Sequence, residues 1–262
     1  MNVLITGVAS GIGKAAKEYF INNGHIVYGI DINKVEEKEN LLSFPCDITN
    51  ENELLKIKEV LKIKNIELDL IINIAGIHKM ASLVESKYSD IKKVIDINLL
   101  GTMLVNHTFH SLLKKDGRII IVTSEVAAFD PLPFNGLYSI SKIALDSYSQ
   151  ALRQELNLLG QKVITIRPGS IETPLSQGSL TGTEELVSST NLFKKQSNKF
   201  LSIVKKFMGK PISPNKLAKL IYKASNKKNP KLTYNIHHNF GLVLLSILPK
   251  RLQCYIVKLL LK

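Results

Sequence analysis

Short apolar runs alternate with amphipathic stretches along most of the chain. The runs are four to six residues long and are followed by polar, glycine or proline residues, which is typical of buried strands. They predict strands at 2–5, 25–30, 44–48, 68–72, 118–122 and 162–166. The helical periodicity between them predicts helices at 14–23, 50–64, 91–113, 135–159 and 216–224. This alternation indicates an α/β fold, a doubly wound parallel sheet in three layers, because right-handed crossovers place helices on both faces.

One domain is predicted for residues 1–240, because the chain contains no internal repeat and no Gly/Ser-rich linker. Within it, residues 175–210 are rich in Ser, Thr and Lys, and we interpret them as a lid over a substrate site. Residues 241–262 form a basic, amphipathic helical extension. Its apolar run at 242–248 is too short to cross a bilayer, which needs about 20 residues.

A glycine-rich turn joins the first predicted strand to the first predicted helix. Gly7, Gly11 and Gly13 give the spacing Gly-x-x-x-Gly-x-Gly, with Ser10 and Ile12 in the same turn. Glycines allow a ligand to approach closely, and a helix N-terminus offers free N–H groups and a positive dipole. The context therefore predicts a pyrophosphate site.

Asp31 ends the second predicted strand, 18 residues after Gly13. A carboxylate there can accept hydrogen bonds from both ribose hydroxyls and repels a 2′-phosphate. Ser10 agrees with this, because the glycine turn holds no basic residue for an extra phosphate. The pattern favours NAD over NADP. The next strand ends supply further predicted cofactor contacts at Asp47, Ile48, Asn73, Ala75 and Gly76.

Tyr138 and Lys142 lie four residues apart in a predicted helix, so their side chains share one face. An ammonium near a phenol lowers the pKa of the phenol from about 10 and helps it to transfer protons. The same spacing also occurs on ordinary solvated helix faces. Ser124, after the fifth strand, and Asn98, inside an apolar helix, are further candidates. The Asn98 amide needs hydrogen-bond partners in either a core or a catalytic role.

The charge is unevenly distributed along the 262 residues, whose net charge is +13. The first 185 residues carry 19 basic and 22 acidic side chains, whereas the following 77 carry 16 basic and no acidic ones. This asymmetry indicates an anionic partner.

The last predicted helix is amphipathic. Its basic side carries Arg251, Lys258 and Lys262, and its apolar side carries Leu252, Ile256 and Leu259. A helix in the plane of a membrane surface has this pattern, and so does a terminal helix docked on its own core or on a second subunit. Nucleic acid is not expected, because no aromatic–basic interleaving accompanies the charge.

The remaining composition indicates an ordinary globular protein, 45% hydrophobic and 22% charged. Cys46 and Cys254 cannot form a disulfide framework, which suits a reducing cytosol. The apolar residues at 3–5 lack the charged segment and cleavage site of a signal peptide. We expect a cytoplasmic protein without a metal site, with peripheral membrane contact through the tail as an open alternative.

Residues 1–175 resemble the single-domain branch of the short-chain dehydrogenase/reductase family. The matching motifs, in chain order, are Thr6-Gly-x-x-x-Gly-Ile-Gly13, Asp31, Asp47-Ile48, Asn73-x-Ala-Gly76, Asn98, Ser124, Tyr138-x-x-x-Lys142 and Pro168-Gly169 followed by Thr173. The segment 132–138 is similar to hydroxysteroid and retinol dehydrogenases of the family, and the tail resembles the membrane-associated C-terminal segments of some of them. The resemblance implies a Rossmann fold that binds NAD, with Pro168, Gly169, Ile171 and Thr173 among the contacts.

The resemblance also implies a role for each candidate side chain. Tyr138 would be the general acid/base at the substrate oxygen, and Lys142 would hold the nicotinamide ribose and lower the pKa of the tyrosine. Ser124 would hydrogen-bond the substrate oxygen. Asn98 would anchor a water that links Lys142 to solvent.

Two positions depart from the family pattern. The usual Ser-to-Tyr spacing of thirteen lands on Glu125, and a carboxylate donates a hydrogen bond only when it is protonated. We therefore assign the role to Ser124, with a loop one residue longer. Ile74 replaces the usual Asn or Ala and is conservative in shape.

The function expected from these residues is that of an NAD(H)-dependent oxidoreductase. It would interconvert a secondary alcohol and a ketone on an apolar substrate that is steroid-, retinoid- or lipid-like. Two alternatives stay open: an NADPH-dependent reductase of a carrier-linked or polyketide carbonyl, and a non-catalytic NAD-sensing scaffold. Because family members mostly pair through the helices that bear Asn98 and Tyr138, the resemblance implies a homodimer or homotetramer.

Overall fold

The computed structural model describes residues 1–207 and 209–262 and contains one sheet of seven parallel strands. The strands are β1 Asn2–Thr6, β2 Ile26–Asp31, β3 Leu41–Pro45, β4 Leu68–Asn73, β5 Leu113–Val122, β6 Lys162–Pro168 and β7 Thr233–Ile236. Their order is β3-β2-β1-β4-β5-β6-β7, and every neighbouring pair is parallel. The order reverses direction at β1 and β4, so a crevice forms at the C-terminal ends of these strands.

Helices cover both faces of the sheet. They are α1 Gly11–Asn22, α2 Glu51–Ile63, α3 Tyr88–Ile95, α4 Thr102–Phe109, α5 Gly136–Asn157, α6 Pro174–Ser189, α7 Lys194–Phe207, α8 Pro214–Asn226, α9 Phe240–Ile247 and α10 Lys250–Leu261. Alternate strand residues enter separate cores: Val3 packs with α1 and α8, whereas Leu4 packs with α2, α4 and α5. This is the predicted three-layer, doubly wound Rossmann fold.

The helix predicted for 91–113 is interrupted in its middle. Between α3 and α4, residues Asp96–Gly101 form a π-helical turn, and Asn98 lies inside it. A Cβ on Gly101 would come within 2.8 Å of the Ile48 side chain. Such π-helical turns are frequent at functional sites, and this one contains Asn98.

Two parts of the C-terminal half contain secondary structure that the sequence analysis did not predict. The region interpreted as a lid consists of α6 and α7, and Met208, inside the predicted lid range, lies outside the described residues. The strand β7 was not predicted, because it is a four-residue edge strand without a buried face. The buried Arg153 links the start of β7 to the neighbouring strand. It donates to the carbonyl oxygen of Leu232, just before β7, at 3.1 Å and to that of Val163, in β6, at 2.9 Å.

The tail helix α10 docks on the body of the protein, against α7. Its inner face is formed by Gln253, Val257 and Leu261. Leu252 and Leu259, on the apolar side that the sequence identifies, are 42% and 55% exposed, so the helix docks through a different face. No helix in the described ranges is long and apolar enough to cross a membrane.

Candidate active site

The glycine-rich turn forms a cradle between β1 and α1. Gly7 has a φ of +78°, and a Cβ on Gly13 would lie 1.9 Å from the carbonyl oxygen of Gly7. Neither position accepts a side chain. Ser10, at the N-cap of α1, makes no side-chain capping hydrogen bond, which leaves the first N–H groups of the helix for an outside acceptor. The cradle therefore fits the pyrophosphate of a dinucleotide.

Asp31 stands at the C-terminal end of β2 on the wall of the same crevice. Its Oδ2 accepts from the backbone N of Ala9 at 2.9 Å, and its Oδ1 accepts from the backbone N of Asn33 at 2.9 Å. These bonds hold a carboxylate at the position where a dinucleotide bound on the glycine turn places its adenosine ribose.

A cavity of about 480 Å³ includes the glycine turn and Tyr138 in its lining. Seventeen of the nineteen predicted site residues line it: Gly7, Ser10, Gly11, Ile12, Gly13, Asp31, Asp47, Ile48, Ala75, Gly76, Ser124, Tyr138, Lys142, Pro168, Gly169, Ile171 and Thr173. They come from different parts of the chain and meet at the C-terminal ends of the strands, where ligands bind in parallel sheets.

Tyr138, Lys142 and Ser124 are buried together at one end of this cavity. The Ser124 side chain lies beside the Tyr138 hydroxyl, and its Oγ accepts from the backbone N of Val126 at 3.4 Å. Lys142 Nζ lies 5.9 Å from the centroid of the tyrosine ring and donates to Val122 O at 3.4 Å. The pair shares one face of α5, and this face is directed into the cavity rather than toward bulk solvent.

Burial controls the protonation of this pair. It raises the pKa of Tyr138 to about 12; the Ser124 hydrogen bond opposes the rise and the charge of Glu125 adds to it. Burial also lowers the pKa of Lys142 to about 8. In this cavity burial outweighs any lowering of the tyrosine pKa by Lys142, because the loss of hydration disfavours the phenolate.

Asn98 links the loop after β4 to the catalytic helix. Its Oδ1 accepts from Ile77 N at 2.8 Å, and its Nδ2 donates to Ile77 O and to Ser141 Oγ, both at 2.9 Å. Gly76 permits this approach, since a Cβ there would lie 3.1 Å from Asn98 Oδ1 and 3.4 Å from Lys142 Nζ. The amide thus has the partners that its burial requires. Its role in holding a water stays a prediction.

Asn73 does not line the cavity, contrary to its prediction as a cofactor contact. Successive strand residues point to opposite faces, and the Asn73 side chain points toward α4, where its Nδ2 donates to Asn106 Oδ1 at 2.8 Å. The loop beyond it is held instead by Thr6, whose Oγ1 accepts from the backbone N of Ile74 at 3.1 Å and of Ala75 at 3.2 Å.

His78 belongs to the site and was not predicted. Its ring packs edge-on against Tyr138 with 4.5 Å between centroids. Its Nε2 lies 2.9 Å from Asn135 Oδ1, and its Nδ1 lies 3.5 Å from Ser179 Oγ on α6. Burial lowers the pKa of His78, which favours the neutral ring. A lone histidine in a loop carries no motif, so the sequence offered no signal for it.

Glu125, which the sequence analysis set aside in favour of Ser124, also lines the cavity. Its Oε2 accepts from the backbone N of Asn239 at 2.6 Å, which ties the catalytic loop to the residue that precedes α9. Burial raises the pKa of this carboxyl. The contact explains how an acidic residue is accommodated next to Ser124.

The family described as short chain dehydrogenase matches residues 1–183, about two thirds of the chain, including the glycine turn and the Tyr138–Lys142 pair.

Two curated relatives and one solved structure extend the comparison. The chain is 34% identical over 200 residues to an NADPH-dependent 1-acyldihydroxyacetone phosphate reductase of Schizosaccharomyces pombe, covering 73% of this chain and 67% of the relative. It is 28% identical over 234 residues to a 3-ketodihydrosphingosine reductase of Bacteroides thetaiotaomicron, covering 87% and 84%. The structure of ElxO with NADP bound superposes with a TM-score of 0.70 at 26% identity, covering 90% of this chain and 95% of ElxO.

Proposed function

The chain belongs to the short-chain dehydrogenase/reductase family and is an NAD(P)-dependent oxidoreductase, and we propose that it reduces a ketone on an apolar, lipid-like substrate. The observation that carries the proposal is the joint burial of Tyr138, Ser124 and Lys142 at one end of the cavity whose lining also includes the phosphate cradle. A scaffold that only senses a cofactor needs no such proton-transfer group.

Tyr138 acts as the general acid in this proposal. Because its pKa is raised to about 12, the phenol is protonated at neutral pH and can donate to the oxygen of a ketone. Ser124 lies beside the same hydroxyl and orients it. Its own hydroxyl donates a second hydrogen bond to the substrate oxygen. When bound in this cavity, NADH would supply the hydride to the carbonyl carbon and would leave as NAD⁺. The protonated tyrosine is the form that ketone reduction requires, and both relatives described above are named as reductases.

Lys142 and the cradle would hold the cofactor. The Lys142 ammonium is close to Gly76 and can bind the nicotinamide ribose, while Gly7, Gly13 and the start of α1 hold the pyrophosphate. We propose NADH as the preferred form, because the fixed carboxylate of Asp31 repels a 2′-phosphate. One relative is named as NADPH-dependent, so this preference is a property that we assign to Asp31 of this chain.

Replacing Tyr138 with Phe tests the function. The variant keeps the ring contact with His78 but loses the proton donor, so kcat for ketone reduction should fall by about 10²–10⁴-fold. The affinity for NADH, measured by fluorescence titration, should change by less than about threefold. Tyr148→Phe is the matched control, because its hydroxyl contacts Asn106 on α4, away from the cavity. Equal turnover in Tyr138→Phe and the wild type would leave only a non-catalytic role.

We propose that the outer faces of α9 and α10 make peripheral contact with an anionic membrane. Because the free cysteines Cys46 and Cys254 suit a reducing cytosol, this contact would be on the cytoplasmic side of the membrane. Phe240 and Ile247 are 73% and 74% exposed, and they lie in the 77-residue C-terminal part of the sequence that carries 16 basic and no acidic residues. Phe240→Ser/Ile247→Ser should lower co-sedimentation with vesicles of phosphatidylcholine and phosphatidylglycerol. Leu158→Ser, also at a highly exposed leucine, is the control. Equal sedimentation of all three proteins would exclude this contact.

We propose a homodimer or homotetramer formed through the helices that bear Asn98 and Tyr138. Leu100, Met103 and Ile140 are 49%, 37% and 45% exposed on this side of the protein, which provides apolar surface for a second copy. Native mass spectrometry of Ile140→Lys against the wild type tests this, and an unchanged oligomer distribution would exclude the proposed interface.

A further inference from the structure

A second cavity lies beside the tail helix. It has a volume of about 810 Å³, is open to solvent, and is lined by α10, by Leu245 of α9, by Gln196 of α7 and by the loops around 82–84 and 130–134. It shares no lining residue with the cofactor cavity. We call it the tail groove, and its apolar lining includes Leu83, Val84, Leu132, Phe134, Val257 and Leu261.

The wall that α10 contributes to the tail groove is cationic. Lys250, Lys258 and Lys262 all line it. Lys250 pairs with Asp130 at 3.1 Å. Lys258 and Lys262, one helical turn apart, form no ion pair with any residue in the ranges 1–207 and 209–262. Two ammonium groups therefore stand uncompensated beside an apolar floor.

The wall is held in place by packing and hydrogen bonds. Leu261 is buried in a cluster with Phe134 and Phe200, and Val257 packs against the same cluster. The Nε2 of Gln253, also a lining residue, donates to Leu248 O at 2.8 Å. Since these contacts fix the helix on α7, the groove is part of the folded protein rather than a loose fit of the tail.

We propose that the tail groove binds one molecule of a single-chain anionic amphiphile, such as a long-chain alkyl phosphate. The chain lies along the apolar floor, and the anionic group binds Lys258 and Lys262. An apolar floor selects for chain length, and each buried methylene adds up to about fourfold in affinity. The two ammonium groups select for a negative head group.

Other occupants fit the groove less well. A second copy of the tail would bring more Lys and Arg to a groove already lined by Lys250, Lys258 and Lys262, and like charges repel. A neutral hydrocarbon would leave both lysines uncompensated. A free inorganic anion would leave the apolar floor in contact with water.

Cys254 provides a direct readout of the groove. It lines the groove and is exposed, whereas Cys46 is buried and its thiol pKa is raised to about 12 by burial. A maleimide should therefore modify Cys254 alone in the folded protein. Dodecyl phosphate below its micelle concentration should slow this modification by at least about tenfold at saturation, measured by mass spectrometry. Butyl phosphate at the same concentration should have no effect.

The lysines are tested by the double variant Lys258→Glu/Lys262→Glu. It should raise the concentration of dodecyl phosphate needed for half protection by at least about tenfold and leave protection by neutral dodecyl maltoside unchanged. Lys219→Glu/Lys223→Glu makes the same charge change at the same spacing on exposed residues of α8 and should behave as the wild type. Lys258→Gln/Lys262→Gln replaces the acidic variant if Cys46 modification reveals unfolding.

Four results would overturn the proposal. Equal protection by butyl and dodecyl phosphate would identify a site for free anions. Protection insensitive to both lysine variants would identify adventitious apolar binding only. Protection that rises with protein concentration without amphiphile would place a second copy in the groove. Protection by anionic vesicles but not by monomeric dodecyl phosphate would identify a bilayer surface instead. The tail groove is separate from the cofactor cavity, so failure of the reductase function would not affect these outcomes.

Discussion

At the scale of single residues, the cavity holds ionisable groups whose hydration has been replaced by protein. Tyr138 and Lys142 are buried to more than nine tenths of their surface, and neither reaches an acidic partner. Burial stabilises the neutral form of each group, which moves the two pKa values in opposite directions. The phenol is therefore held as a proton donor, while the ammonium titrates near the physiological range.

The pH dependence of turnover should follow Lys142. Because its pKa is lowered to about 8 from 10.5, the ammonium that holds the nicotinamide ribose is present below that pH and is lost above it. The kcat/KM for NADH should fall as pH rises through about 8. Because one proton is lost, log(kcat/KM) plotted against pH should reach a slope of −1. In Lys142→Arg the charge persists, so the fall should disappear. A wild-type profile that stays flat through this range would contradict the assignment.

Cofactor choice should depend on Asp31. Asp31→Ser removes the repulsion of a 2′-phosphate and the acceptor for the ribose hydroxyls, so the ratio of NADPH to NADH affinity should rise by about tenfold or more. Fluorescence titration with both nucleotides measures this ratio. Asp47→Ser is the control, because the sequence predicts that Asp47, at the end of the third strand, reaches the adenine amino group, and a contact there should affect both nucleotides equally. If the wild type already prefers NADPH, Asp31 does not exclude the phosphate.

At the scale of secondary-structure elements, the π-helical turn between α3 and α4 turns a helix residue into a bridge. Asn98 reaches Ile77 on one side and Ser141 on the other, so the loop after β4 and helix α5 keep a constant separation. This separation sets the distance from Gly76 to Lys142. The turn thus positions the catalytic helix relative to the cofactor loop.

Removing the bridge should affect stability and turnover together. Asn98→Ala leaves the backbone of Ile77 and the hydroxyl of Ser141 with lost partners, which should lower the free energy of unfolding by about 2–4 kcal/mol. Asn106→Ala breaks a comparable buried pair with Asn73 and Tyr148 and should be similarly unstable in urea. Only Asn98→Ala should lower kcat, by about tenfold or more. Equal kcat values for the two variants would show that Asn98 has only a structural role.

The elements that the sequence predicts are those with a local signal. Buried strands such as β4 and the amphipathic α2 have clear periodicity, and the glycine turn has a spacing that few other structures require. The strand β7 has no such signal, because it is short, lies at the sheet edge and is held by the distant Arg153. The π-helical turn is also invisible in the periodicity, since it depends on contacts of Asn98 and Gly101 with other elements.

At the scale of the whole molecule, most of the cavity was predictable because strand ends in a parallel sheet meet at one edge. Knowing the strand order places Gly7, Asp31, Ser124 and Pro168 together without any contact information. His78 and Glu125 were not predictable, because their roles arise from partners on α6 and in the segment before α9. These partners lie about 100 residues away in the chain.

In the tail, too, some features can be predicted from the sequence and others cannot. Its charge and helical character follow from composition and period, but the face that docks does not. An isolated helix presents Leu252 and Leu259 as an apolar stripe, whereas the structure buries Val257 and Leu261 against the cluster that contains Phe134. The docking face is chosen by the shape of that cluster, which no local pattern encodes.

The central claim is that the cavity brings a ketone carbon into hydride contact with the nicotinamide while Tyr138 donates the proton. The most direct test is to supply NADH deuterated on C4 of the nicotinamide together with an apolar ketone, and to analyse the alcohol by mass spectrometry. The account predicts one deuterium on the carbinol carbon, and formation of this labelled alcohol about 10²–10⁴-fold more slowly with Tyr138→Phe. Alcohol that carries no deuterium, or equal labelling by the Phe variant, would contradict it.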